Sequence, residues 1–157
     1  MLRIFQATTP DDIATVRVLL REYQSLLGVD LSFQDFESEV HALPGAYAPP
    51  RGRLLLATHS TTPVGCVALR DAGGARAEMK RLFVRPGTRG LGVGKSLVSR
   101  ILSEALAMGF ADVVLDTLPT MVEAQRLYEQ FGFEDTAPYR PNPIAGSRYL
   151  IKVLSGA

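Results

Sequence analysis

Eight residues, Arg89 to Ser96 (RGLGVGKS), carry glycine at three alternate positions, Gly90, Gly92 and Gly94. The run before them, Ala77 to Val84, reads as a strand. After them Val93, Leu97, Ile101, Leu102, Ala105 and Leu106 mark one face of a helix that ends at Gly109. Residues 111–117 (ADVVLDT) then read as a buried strand. Strand, helix and strand in this order make a parallel crossover, so the chain must build a sheet with at least one parallel pair. The glycine-rich turn lies at the end of that pair.

The flanking segments fill in the rest. Residues Arg3 to Ala7 form a short apolar-polar run, a strand. Thr9 is placed to cap a helix, with Pro10 in its first turn and Asp11 and Asp12 near the positive end of its dipole. Ile13, Val16, Leu19, Leu20, Tyr23 and Leu27 keep helical spacing until Gly28. A shorter helix is expected over Phe33 to Leu43, then a loop, LPGAYAPPRG. Arg53 to Thr58, Val64 to Arg70 and Ala77 to Val84 are strands joined by the short turns STTP and DAGG, an antiparallel meander. MVEAQRLYEQFG, residues 121–132, is a last helix, and strands close the chain near Phe133 to Asp135 and Arg148 to Val153. The order is β-α-α-β-β-β-α-β-α-β-β: one α/β domain over residues 1–157 with a mixed sheet.

Composition narrows the class. At 157 residues, 46% hydrophobic and 21% charged, one ordinary core can form. A net charge of +1 is no footprint for nucleic acid, which calls for a strongly basic face. The single Cys66 rules out an internal disulfide or a multi-thiolate metal site, and His41 and His59 have no second ligand at usable spacing. No run reaches the roughly 20 apolar residues of a membrane span, and the N-terminus lacks a signal-peptide core. These features point to a cytoplasmic protein with no metal, no nucleic-acid partner and no membrane partner, and they leave a homodimer open.

The glycine-rich turn resembles a phosphate loop but fits neither common nucleotide pattern. Gly-x-x-x-x-Gly-Lys-Ser needs glycine where Arg89 stands. Gly-x-Gly-x-x-Gly meets Lys95 when started at Gly90 and Leu97 when started at Gly92. A physical device remains. Glycines let backbone approach a ligand closely, and the first N–H groups of the following helix are unpaired at its positive end, where a pyrophosphate binds readily. A turn that only capped the helix would not need three glycines, each costing about 1 kcal/mol against alanine inside a helix.

Arg89-x-x-Gly92-x-Gly94 resembles the Arg/Gln-x-x-Gly-x-Gly/Ala signature of the GNAT family of N-acetyltransferases. EMKRLFVRP before it resembles the fourth strand of that family. AQRLYEQFGF resembles its second signature, with Leu127 and Tyr128 followed by Gly132 and Phe133. The element order matches over nearly the whole chain, and residues 115–150 resemble a bacterial, small-molecule-type subgroup. Many members carry asparagine where this chain has Met121.

The resemblance implies acetyl-coenzyme A as co-substrate. It implies splayed fourth and fifth strands, with backbone of Leu82, Phe83 and Val84 pairing the pantetheine arm as an added strand would. The pyrophosphate would lie on Arg89, Gly90, Leu91, Gly92, Val93, Gly94, Lys95 and Ser96, with Asp116, Thr117 and Tyr128 across the gap. Transfer to a primary amine would be direct. The Val84 N–H would steady the oxyanion, the Tyr128 phenol would protonate the leaving thiolate, and Glu78 would take the amine proton, directly or through water. On a regular strand Glu78, Lys80, Leu82 and Val84 share one face, and a bulge between them would change that parity.

Read without the resemblance, Tyr128 is a core aromatic beside Leu127 and Phe131, Glu78 a strand residue paired to Arg76 or Lys80, and Cys66 a small buried hydrophobe. Arg17, Arg21 and Glu22 face either the acceptor or water. Tyr23, Tyr47, Tyr139, Asn142 and the acids Asp30, Asp35 and Glu37 lie in the segments expected to shape the acceptor site, a small-molecule or peptide amine. Acids there would suit a cationic amine. The competing functions are a non-catalytic acyl-coenzyme A-binding or sensing module of the same fold and a nucleotide-binding protein using a variant phosphate loop.

Overall fold

The computed structural model describes residues 1–32, 35–88 and 90–154. The elements are β1 (Leu2–Gln6), α1 (Pro10–Leu27), α2 (Phe36–His41), β2 (Arg53–His59), β3 (Thr62–Gly73), β4 (Arg76–Val84), α3 (Val93–Ala107), β5 (Asp112–Thr117), α4 (Val122–Gln130), β6 (Glu134–Asp135) and β7 (Arg148–Val153). This is the expected order. The helix expected from Phe33 to Leu43 is the short α2, and Phe33 and Gln34 lie outside the described residues.

The seven strands form one sheet in the order β1-β2-β3-β4-β5-β7-β6, with β4 and β5 its parallel pair. Helices cover both faces of the central strands. Leu55, Ala57, Val67, Leu69, Ala77 and Met79 pack with α3 and Tyr128. Leu54, Leu56, Cys66, Ala68 and Phe83 pack with α1 and α2. Burial on both faces is why LLLA and VGCVAL read as continuous apolar runs rather than alternating ones. Leu106, expected on the buried face of α3, is 44% exposed.

Local chemistry fixes α1 as the sequence indicates. Thr9 and Asp12 form a reciprocal capping box, and Gly28 closes the helix in the left-handed region at φ 65°.

Two irregularities in β4 shape everything that follows. Cys66 pairs with Phe83 but Ala68 pairs with Lys80, so two residues of β4, Arg81 and Leu82, oppose Val67 alone on β3. Arg81 sits at this bulge with φ 62°, a left-handed conformation uncommon for any residue but glycine. Its guanidinium, almost wholly buried, grips Glu39 of α2 through two hydrogen bonds of 2.8 and 3.1 Å and lies over the Phe36 ring. The second irregularity is a parting of strands. β4 pairs with β5 only from Arg76 to Glu78, against Asp112 to Val114, and beyond that the two diverge.

Candidate active site

The parting of β4 and β5 opens into a cleft of about 800 Å³. Its walls are the end of β4 (Leu82, Phe83, Val84), the turn with Gly90 and Gly92, the start of α3, and Met121 and Leu127 of the α4 segment, with Tyr23 of α1 beside them. Gly90 (φ 86°) and Gly92 (φ 68°) occupy the left-handed region, and a Cβ on either would meet nothing within 4 Å, so the backbone faces open space. Gly94 is different: a Cβ there would stand 3.2 Å from Leu127 Cδ2, so this glycine lets α3 close on α4.

Gly92 caps α3 without a side-chain hydrogen bond, and the first intrahelical donor of the turn is Ser96 N, 3.0 Å from Gly92 O. The N–H groups of Val93, Gly94 and Lys95 therefore precede the helical ladder at the positive end of a 15-residue helix. That is the donor set of a phosphate cradle. At the parting, Arg85 N donates to Val64 O on the β3 side at 2.8 Å. Strand alternation then turns the Val84 N–H and C=O away from β3, into the opening. Phe83 differs from expectation, because its backbone groups face β3, where it pairs with Cys66.

Tyr128 is buried, with its ring 5.7 Å from that of Phe133. Burial, then the charges of Tyr23 and Asp116, push its hydroxyl above the ordinary phenol range, so it is protonated at neutral pH. Cys66 is buried, with burial pushing its thiol up to about 12, so it is no nucleophile at neutral pH.

The pattern of the acetyltransferase (GNAT) family matches residues 15–133. The chain belongs to that family. It is an acyltransferase by that membership. An uncharacterized N-acetyltransferase of Schizosaccharomyces pombe is 42% identical over 143 residues, covering 90% of this chain and 88% of that protein. Its source shows that the likeness is not confined to bacteria. Among solved structures, a GNAT-family acetyltransferase of Staphylococcus aureus superposes with a TM-score of 0.82 at 19% identity, covering 99% of this chain and 100% of its own. The PaiA N-acetyltransferase of Thermoplasma acidophilum, solved with coenzyme A, superposes with a TM-score of 0.75 at 16% identity, covering 98% of this chain and 99% of its own.

Within this GNAT frame the sequence-named residues separate. Leu82, Phe83, Val84, Gly90, Gly92, Val93 and Gly94 line the cleft. Leu91 is 38% exposed, Lys95 is exposed, Ser96 is half-buried, and Thr117 and Tyr128 are buried; none of these five lines the cleft. Arg89 lies outside the described residues. Met121 accepts a long contact from Thr117 Oγ1, 3.8 Å from its sulfur.

Glu78 is not on the face of Leu82 and Val84. The bulge reverses the parity: Ala77, Met79, Leu82 and Val84 turn to the α3 side. Glu78 turns to the α2 side, wholly buried, where Arg70 Nε (2.8 Å), Tyr139 Oη (3.0 Å) and the Arg140 guanidinium occupy its two oxygens. The segment after β6 thus folds back over the sheet, with Asn142 Nδ2 donating to Asp116 at 3.1 Å. Arg70 and Arg140 are functional candidates that the sequence reading missed. Arg70 faces Glu78 across the β3–β4 hairpin, a signal visible only once the register is known. Of the acids expected near an acceptor, Glu37 pairs with Arg21 on the surface and Asp30 holds the Ser32 N–H. Glu22 binds Arg85 by two hydrogen bonds and Arg17 binds Val40 O, so both tie α1 to its neighbours.

Proposed function

We propose that this chain moves the acetyl group of acetyl-coenzyme A directly to a primary amine of a small molecule or short peptide. One observation carries the reading: β4 and β5 part at the same cleft into which the unpaired N–H groups of α3 open. A long, thin ligand with a pyrophosphate near one end fits that shape. Acetyl-coenzyme A supplies an activated thioester, and the PaiA neighbour solved with coenzyme A supports it as co-substrate.

The chain's own residues then take distinct tasks. Backbone N–H groups of Val93, Gly94 and Lys95 hold phosphate oxygens at the helix end, with Gly90 and Leu91 in the turn before them, and we assign the Arg89 charge and the Ser96 hydroxyl to the same phosphates. Val84 offers its outward N–H to the developing oxyanion. Tyr128 keeps its phenolic proton at neutral pH, since burial raises its pKa, and is the donor for the departing sulfur. Glu78, with both oxygens engaged, positions Tyr139 and Arg140 rather than meeting the acceptor. Asp116, at the open end of β5, is the carboxylate we place beside the acceptor amine.

Calorimetric titration with acetyl-coenzyme A, with ATP and NAD as controls, tests the donor. Micromolar binding of acetyl-coenzyme A alone agrees with the reading, and no binding or a preference for ATP removes it. Tyr128→Phe then tests the chemistry. It is expected to lower kcat by roughly 100-fold, within the usual range for loss of an acid–base group, with acetyl-coenzyme A affinity unchanged. Full activity would return Tyr128 to the core.

A further inference from the structure

On the α2 side of the sheet lie two further cavities, of about 530 and 400 Å³, and they share Arg70 and Arg140. Both guanidiniums address one carboxylate, the buried Glu78. One carboxylate answers one charge, so the set holds an uncompensated positive charge. Neighbouring charges are matched in pairs, Arg76 with Asp112 and Arg81 with Glu39. Lys80 adds an amine to the smaller cavity, whose exposed rim carries Asp35. Arg140 Nε is buried and has no acceptor among the described residues. Burial, and then the charge of Arg70, hold Arg140 below the ordinary guanidinium value, so the pair repels itself where an anion would relieve it.

The opposite charge stands nearer the gap. Val113 and Leu115 face α3, so alternation turns Asp116 to this same side, where Asn142 holds it. Glu78 lies opposite Val114, and Asp116 is two residues farther along β5. At the strand rise that is roughly 7 Å. A carboxylate by the transfer point and a guanidinium pair behind it form a bipolar surface.

We propose that this surface selects an acceptor with its own anion, its ammonium beside Asp116 and its carboxylate or phosphonate on Arg140 and Arg70, the two charges roughly 7 Å or more apart. A short peptide or an ω-amino acid has this form. The inference rests on the acetyltransferase reading above. In the transfer the amine nitrogen bonds the acetyl carbon as the C–S bond breaks. Of the two protons the ammonium loses, one ends on the coenzyme A sulfur and the other in solvent.

The test is thiol release from acetyl-coenzyme A with diglycine and triglycine, their carboxamides, and 3-aminopropylphosphonate, beside calorimetric binding of acetyl-coenzyme A. The acids are expected to exceed the carboxamides by at least roughly tenfold in kcat/KM, the worth of a charge-assisted hydrogen bond. Arg140→Gln should erase most of that ratio and leave acetyl-coenzyme A affinity unchanged. Turnover of the phosphonate alone would support the anion site and assign it to phosphorus acids. Carboxamides acetylated as well as acids would overturn the inference, and so would no turnover of any arm by protein that binds acetyl-coenzyme A. Failure of wild-type protein to bind acetyl-coenzyme A would instead overturn the donor reading. The wild-type ratio decides even where the variant does not fold.

Discussion

Gly92→Asp separates the phosphate site from the fold. Position 92 is left-handed at φ 68° and open, with nothing within 4 Å of a Cβ. An L-residue there costs about 1–2 kcal/mol, at the low end for Asn and Asp, which tolerate this conformation. An acid at the N-cap also suits the dipole of α3, so the folded state should lose at most a few degrees of Tm. Binding should suffer far more. With ~5 Å between the new carboxylate and one phosphate charge, repulsion is about 0.8 kcal/mol in bulk water and about 3.3 kcal/mol at the effective dielectric near a protein surface. Affinity for acetyl-coenzyme A should fall roughly 4-fold to 250-fold. Gly92→Asn has the same shape without the charge and isolates the electrostatic part. Calorimetry of both variants at 0.02 M and 1 M salt completes the test, because screening should narrow the gap between them. Equal affinity of the two at low salt would remove the phosphate from the start of α3.

Two substitutions probe the strands behind the site. A Cβ at Gly65 would stand 2.6 Å from Phe83 O, a backbone atom that cannot swing aside. Gly65→Ala should therefore cost about 1–3 kcal/mol of stability, as overpacking does. It should also weaken acetyl-coenzyme A binding by displacing Val84, and an unchanged urea midpoint would refute the close approach. Lys80 has its pKa pushed down to about 8, first by burial and then by Arg81, from 10.5. The unfolded chain then binds more protons than the folded one between those values, so wild-type stability should rise with pH across that window. Lys80→Met should melt above wild type at pH 7, with the difference closing towards pH 10.5. A constant difference would show that Lys80 is not desolvated.

Local signals in the sequence located most elements because the physics there is local. Thr9, Asp12 and Gly28 cap α1 through neighbours three or four residues away, and β7 begins and ends where expected. The crossover from β4 through α3 to β5 follows from the element order alone. α2 is the weaker case. Six residues carry too few turns for a periodic pattern, and the helix is held by tertiary packing of Phe36 and Val40.

The site was half visible for a related reason. Backbone devices announce themselves: Gly90 and Gly92 mark left-handed turns, and the helix that follows starts without a side-chain cap. Side-chain constellations built from distant strands do not. The one inserted residue at Arg81 decides this case. Arg81 looks like an ordinary charged strand residue, yet it is buried against Glu39 of α2 and takes a positive φ. That insertion sends Leu82 and Val84 to the α3 side while Glu78 and Lys80 stay on the other. It therefore divides labour along a single strand. The end of β4 lines the cleft beside α3, and its middle turns Glu78 and Lys80 to the opposite face. A regular strand would have pointed Glu78 and Val84 the same way and left Arg70 and Arg140 without the carboxylate that assembles them.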